Sequence, residues 1–318
     1  MVTSDPLRIV YFGTPEFAVP TLRALLASRH HVAAVVSQPD RPKGRGQHLQ
    51  PTPTKQLAES RGVPVLQPLK LRDDAFLRAM EDLEPDLGVV AAYGRILPDA
   101  LLRIPRLGMI NVHASLLPAY RGAAPVHRAV IAGERETGVS IMRVVSELDA
   151  GPVFTTARMP IGDDATSPEV EARLAELGAS RLLDVVEHLA AGRAVEVPQD
   201  HARATHAAKI TKEEGRIEWS LPAAAIHDRV RGLQPWPMVS IAIDGVRHLL
   251  HRTTVSDERT TAEPGTVVAA AQGRLAIAAG DGRVVDVLEI QPEGRRVMKS
   301  ADYLAGRHVR VGTRVAAP

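Results

Sequence analysis

Apolar residues recur along this chain with two different rhythms, and each rhythm predicts a different kind of unit. Leu7-Arg8-Ile9-Val10-Tyr11-Phe12 reads as a buried strand that breaks at Gly13-Thr14-Pro15. Thr14 is expected to cap a helix that starts at Pro15, with Phe17, Val19, Leu22, Leu25 and Leu26 as its apolar stripe. Val32 to Val36 is a second buried strand, and this β-α-β start predicts an α/β fold with a Rossmann-like parallel sheet. Leu87 to Ala92 and Met109 to His113 add two further buried strands, and Val139 to Val145 alternates as another. Thr166-Ser167-Pro168-Glu169 opens a helix with a capping box, and Val170, Leu174, Leu177, Leu182, Val186 and Leu189 carry its stripe to a stop at Gly192.

From Val195 to Ala208 the pattern is polar and aperiodic, as in a linker. Beyond it the strands are short and long helices are absent. Val239 to Ile243, Asp244-Gly245, then Val246 to Thr254 is a hairpin pattern, because Asp-Gly supplies the positive φ angles of a two-residue turn. Gly265 to Val268, Leu275 to Ala279 and Val284 to Ile290 complete a set that predicts a small OB-like β-barrel. The expected division is therefore residues 1–194, a linker at 195–208, and residues 209–318.

Composition narrows the function. Aromatic residues make up only 3% of the chain, so stacking of bases on an aromatic platform is not expected. The first residues lack a basic stretch followed by an apolar run, and no apolar stretch is long enough to span a bilayer, so neither a signal peptide nor a membrane association is expected. The absence of cysteine removes disulfides and thiolate metal sites, which fits a cytoplasmic protein. Net charge is +2, but residues 208–318 carry 16 Lys/Arg against 13 Asp/Glu, while the rest of the chain is slightly acidic. A basic second unit suits a polyanionic partner. The segment Gln38 to His48 holds Arg41, Lys43 and Arg45 with two glycines and two prolines, and reads as an exposed loop whose cations can reach phosphates.

Candidate chemistry centres on Asn111-Val112-His113. The two polar residues alternate to one face at the carboxyl end of a buried strand. An amide donor beside an imidazole can stabilise an oxygen that turns negative when a carbonyl is attacked. Taken alone, such a pair is more often a strand cap and a satisfied interior histidine. Its neighbours change that. In open α/β sheets ligands collect beyond the carboxyl ends of strands, which places the turn at Tyr93-Gly94 on the same rim. Asp149 follows in a loop that Gly151 allows to turn tightly. No G-x-G-x-x-G is present, so a dinucleotide site and a nicotinamide oxidoreductase are disfavoured. No metal-ligand spacing is seen among the histidines.

Asn111-Val112-His113-Ala114-Ser115-Leu116-Leu117-Pro118 with Arg121-Gly122-Ala123-Ala124-Pro125, then Asp149-Ala150-Gly151, resembles the folate-dependent formyltransferases. The similarity extends to Phe12-Gly13-Thr14-Pro15-Glu16-Phe17, to Gln38 to Gly46, to Lys209 to Glu214 and to Pro235-Trp236-Pro237-Met238. Those segments match the members of the family that act on a charged tRNA. The resemblance implies a formyltransferase domain over 1–194 that takes 10-formyltetrahydrofolate as co-substrate, with no metal. It also implies a C-terminal OB-like domain over 209–318 that binds tRNA, and transfer of the formyl group to the α-amino group of methionyl-initiator tRNA for translation initiation. By motif match, Asn111, His113 and Asp149 fall on the family's catalytic trio. Tyr93, Gly94, Ile96 and Leu97 fall on its folate pocket, together with Ser115, Leu116, Leu117, Pro118 and Gly151. Arg41, Lys43 and Arg45 fall on its tRNA-reaching loop. The chain departs from the family at Ala119, where Lys or Arg is usual. A monomer is expected, because the tRNA has to cover both domains. The competing readings are a formyltransferase with a small amine acceptor and a non-catalytic RNA-binding protein.

Overall fold

The computed structural model describes residues 5–43 and 48–316. It contains two compact units. The first comprises Met1–Pro125, Thr137–Met159 and Glu171–Ala207; the second comprises Val126–Glu136, Pro160–Val170 and Ala208–Pro318. The expected boundary therefore moves in two ways. All but the last residue of 195–208, which read as a linker, belongs to the first unit, because Val197 bridges to Val153 and His206–Ala207 pairs with Arg121–Gly122. Two excursions of the N-terminal half belong to the second unit. There Arg128 bonds both carboxylate oxygens of Glu214 (2.5 and 3.0 Å), and Ser167 Oγ donates to the carbonyl of Gly232 (2.8 Å). Local polarity cannot reveal a partner that lies many tens of residues away.

In the first unit the strands are β1 (Arg8–Gly13), β2 (His31–Val36), β3 (Arg41–Lys43), β4 (His48–Gln50), β5 (Val65–Leu66), β6 (Leu87–Ala91), β7 (Met109–His113), β8 (Arg121–Gly122), β9 (Glu136–Arg143), β10 (Val153–Pro160) and β11 (His206–Ala207). The main sheet has the order β10-β9-β7-β6-β1-β2-β5. Strands β7, β6, β1, β2 and β5 run parallel, but β9 is antiparallel to β7, so the sheet is mixed rather than purely parallel. An antiparallel neighbour needs no crossover helix over the sheet. The order changes direction at β1 and β6, and the crevice beyond the carboxyl ends of such strands is where open α/β sheets bind ligands. Gly13 ends β1 there, because a Cβ would lie 2.6 Å from the Tyr11 ring and 2.8 Å from Ala18 Cβ. Thr14 does not cap the next helix. Its hydroxyl donates to the Tyr93 carbonyl (3.4 Å) and accepts from the Gln38 amide (3.3 Å), while the α-helix starts only at Val19 after one 3₁₀ turn. The capping box at Thr166 does form, with Glu169 Oε2 accepting from the Thr166 amide at 2.8 Å.

The second unit carries β12 (Val239–Ile243), β13 (Val246–Arg259), β14 (Val267–Ala271), β15 (Arg274–Ala278), β16 (Arg283–Pro292) and β17 (Met298–Lys299), all antiparallel in the order β12-β13-β16-β15-β14 with β17 on β16. Asp244 (φ +49°) and Gly245 (φ +75°) make the two-residue turn of the first hairpin. β13 is long, and register shifts at three points along its pairing with β16 bend it around the core. The outer strands are joined by the chain's last described residues. Ala316 exchanges two backbone hydrogen bonds with Ala242 of β12, and residues 312–315 make three with Gly265 and Val267 beside β14. A sheet whose two edges are bridged in this way is a closed barrel.

Buried histidines give the fold an acid-side weakness. His30 accepts from the Leu7 amide through Nδ1 (3.0 Å), and His248 donates through Nδ1 to the Val246 carbonyl (2.8 Å) while its buried Nε2 bonds to no described group. Burial pushes both imidazoles below the usual histidine value of 6.5. A depressed pKa means that the unfolded chain takes up protons first as pH falls. Stability is thus full above about 6.5 and declines below it. Thermal denaturation followed between neutral pH and pH 5 should show the midpoint falling, and His248→Phe should flatten that slope; an unchanged slope in the variant would assign it elsewhere.

Candidate active site

Strand β7 carries the polar pair because its other positions are core. Met109, Ile110 and Val112 are fully buried, whereas Asn111 is half-buried. Pairing with β9 places Met142 opposite Asn111 and Ser140 opposite His113. The Asn111 carboxamide is hydrogen-bonded to none of the described residues, so its donor is uncommitted. His113 is only 6% exposed. Its Nε2 lies 2.9 Å from the Tyr120 carbonyl, which can only accept, so this nitrogen carries a proton. The other edge, Nδ1, faces Asp149 with 3.7 Å to Oδ2. That exceeds a hydrogen bond, so direct proton exchange requires closure by about 1 Å or an intervening atom. Asp149 Oδ2 also accepts from the Gly122 amide at 2.9 Å. The structure thus brings His113 and Asp149 together from strands and loops 36 residues apart in sequence, with Asn111 on the same strand.

The turn after β7 is fixed by two serines. Ser140 Oγ donates to the Ser115 carbonyl (2.8 Å) and accepts from the Leu117 amide (3.1 Å), and Ser115 Oγ donates to the Ala119 carbonyl (2.6 Å). Ser115 is therefore consumed by the turn, while Leu116, Leu117 and Pro118 are half-buried. Asp149 itself adopts φ +50°. Gly151 follows where a Cβ would collide with the Arg143 carbonyl. Two further residues, which the local pattern did not single out for this role, border the loop: Gln199 and Arg121, hydrogen-bonded to each other at 2.7 and 3.1 Å. No local periodicity signals Gln199.

The rim at the end of β6 differs from the expectation in detail. The Tyr93 ring is buried edge-on against Phe12 at 5.6 Å, and Leu97 belongs to the same core cluster, so these two can meet a ligand only through backbone. The Tyr93 carbonyl accepts from Gln38 Nε2 at 2.7 Å. Gly94 takes φ +79°, and a Cβ there would lie 2.7 Å from the same Gln38 nitrogen. Ile96 is 79% exposed. Among the described residues, the amides from Gly94 to Leu97 donate to no backbone carbonyl. This leaves a row of backbone groups and an apolar side chain at the sheet's crevice.

The Arg-rich segment is a hairpin rather than a plain loop. β3 pairs with β4, with Arg41 opposite Gln50 and Lys43 opposite His48. Backbone pairing needs no apolar side chains, which is why polarity alone suggested a loop. Arg41 Nη2 donates to Gln38 Oε1 (3.0 Å), and Asp40 accepts from Lys55 Nζ and Gln67 Nε2 (both 2.7 Å), so the hairpin's base is anchored. Arg45 lies outside the described residues.

Residues 7–186 match the family described as formyl transferase, and residues 209–308 match the formyl transferase C-terminal domain. These two matches, over the two units of the fold, define a formyl transferase. The chain is 46% identical, over 97% of its length and 99% of the relative's, to the methionyl-tRNA formyltransferase of Methylococcus capsulatus. It belongs to the methionyl-tRNA formyltransferase family. Among solved structures it is similar to an N-formyltransferase from Helicobacter canadensis in complex with folinic acid and dTDP-3-aminofucose (TM-score 0.69, 16% identity, 90% of this chain and 99% of that one). It also resembles HypX from Aquifex aeolicus in complex with tetrahydrofolic acid (TM-score 0.63, 20% identity), covering 94% of this chain but only 47% of that one, so the chain spans about half the length of HypX.

Proposed function

We propose that this enzyme transfers the formyl group of 10-formyltetrahydrofolate to the α-amino group of methionyl-initiator tRNA, with Asn111, His113 and Asp149 as its catalytic residues. The observation that carries the reading is the uncommitted Asn111 amide beside a His113–Asp149 pair at the carboxyl end of β7, in a chain nearly half identical to a methionyl-tRNA formyltransferase over its full length. The free backbone amides from Gly94 to Leu97, exposed Ile96 and half-buried Leu116 and Leu117 suit a flat heterocycle with polar edges, as the folate has. The folate supplies the formyl carbon. Asn111 donates to the oxygen that becomes negative as the amine adds to that carbon. His113 Nδ1 and Asp149 form the acid–base pair that takes the proton from the amine and returns one to the leaving nitrogen.

The tRNA is held chiefly through its phosphates. Arg41 and Lys43 of β3, Arg45 of the same cationic stretch of sequence and the basic residues of 209–318 provide the charge. Among the described residues no helix is long and apolar enough to cross a membrane. In this reading the enzyme is a cytoplasmic monomer. Labelled formyl transfer offered to charged initiator tRNA, charged elongator tRNA and free methionine tests the proposal. Transfer to the initiator alone, with a Michaelis constant that rises about a hundred-fold or more when salt is raised fourfold, is expected. Folate binding without transfer to any of the three would point to a small amine acceptor instead.

A further inference from the structure

We propose that Gln199 is a positioning residue for formyl transfer, setting through the Asp149 loop the relation between Asp149 and His113. The proposal rests on the catalytic roles given above to those two residues. Gln199 is only 8% exposed, although it lies in a stretch with the composition of a linker. Its carboxamide is fully used. Oε1 accepts from Arg121 Nε (3.1 Å) and Nη2 (2.7 Å), and Nε2 donates to the carbonyls of Asp149 (2.8 Å) and Gly151 (2.7 Å). A guanidinium has donors only, so buried Arg121 fixes which end of the amide faces it. The NH₂ group is thereby aimed at the two loop carbonyls and cannot be exchanged for the oxygen.

Those carbonyls flank Ala150 in the segment where Asp149 adopts a left-handed backbone, a conformation that non-glycine residues hold only when their surroundings enforce it. Gln199 supplies that enforcement, and the loop's course decides where Asp149 Oδ2 stands relative to His113 Nδ1. The same stretch reaches the other partner. Thr205 Oγ1 accepts from the Tyr120 amide (2.8 Å) and the Thr205 carbonyl accepts from the Arg121 amide (2.9 Å), while the Tyr120 carbonyl accepts from His113 Nε2. One segment, 199–205, therefore ties down both members of the acid–base pair.

The test is a double-mutant cycle on the full-length enzyme with Gln199→Leu, Asp149→Asn and their combination, measured as kcat and KM across pH. Gln199→Leu is expected to lower kcat about ten- to a hundred-fold, since sub-ångström to 1 Å misplacement of a catalytic group has that cost. KM for both substrates should stay within about twofold, and the pH profile of kcat should shift, because the group being displaced is a proton-transfer pair. In the Asp149→Asn background the same substitution should cost no more than about threefold, as its route of action is gone. A kcat for Gln199→Leu near that of the native enzyme, or an equal loss in both backgrounds, overturns the proposal. Full turnover in Asp149→Asn alone would instead remove the catalytic reading beneath it. If the leucine variant does not fold, Gln199→Glu serves: it keeps the acceptors for Arg121, loses both donors to the loop, and should show the same loss of kcat.

Discussion

Asn111→Ala is expected to lower turnover about a hundred- to a thousand-fold under saturating substrates, the usual cost of removing one donor from an oxyanion site. The reason is positional. Asn111 sits on β7 between Val90 of β6 and Met142 of β9, so its backbone is held from both sides and its Cα cannot relocate without breaking the sheet. Because its carboxamide is bonded to none of the described residues, truncation leaves no buried partner unsatisfied. Stability should therefore change by no more than about 1 kcal/mol, as for other surface-like substitutions. Activity and stability separate, and that separation is the diagnostic. Asn111→Asp, similar in shape but an acceptor, should be at least as damaging because it sets a negative charge against the developing one. Single-turnover rates with pre-bound tRNA, read beside the thermal midpoint, decide the matter. Near-native turnover in Asn111→Ala would remove the residue from the mechanism.

Deleting residues 312–318 is expected to unfold or oligomerise the second unit. Residues 312–316 make five backbone hydrogen bonds to the two edges of the barrel, two with Ala242 and three with Gly265 and Val267, and Arg314 pairs with Glu263 at 2.8 Å. At about 1 kcal/mol net for each backbone bond, roughly 5 kcal/mol is lost, a large share of the 5–15 kcal/mol that keeps a typical domain folded. The exposed ion pair adds little. Loss of the segment also bares the edges of β12 and β14, and unpaired edges recruit other strands. Denaturant titration should show a separate early transition, and hydrogen exchange should lose protection at the amides of Ala242 and Val267. A truncated chain that stays monomeric, with protection unchanged at those two amides, would show that the barrel closes without its end.

Much of this molecule is written locally. The buried runs at β1, β2, β6 and β7, the Asp244-Gly245 turn and the Thr166/Glu169 capping box each follow from residues within one turn or one strand, where propensity and hydrogen bonding act over short distances. Strand alternation likewise put Asn111 and His113 on one face before any partner was known. A periodicity states which face is buried, however, and is silent on what buries it. That is why the direction of β9, the burial of the Tyr93 ring, the pairing of β3 with β4 and the closure of the barrel by residues 312–316 belong to the tertiary structure. The same holds at the candidate site. His113 and Asp149 meet only once β9 turns back beside β7, and Gln199 reaches the Asp149 carbonyl across 50 residues of chain through a polar segment that carries no periodicity at all. Sequence alone determined the chemical groups and the strand that presents them; the long-range hydrogen bonds, which depend on three-dimensional proximity and not on neighbours in the chain, decided how those groups are aimed.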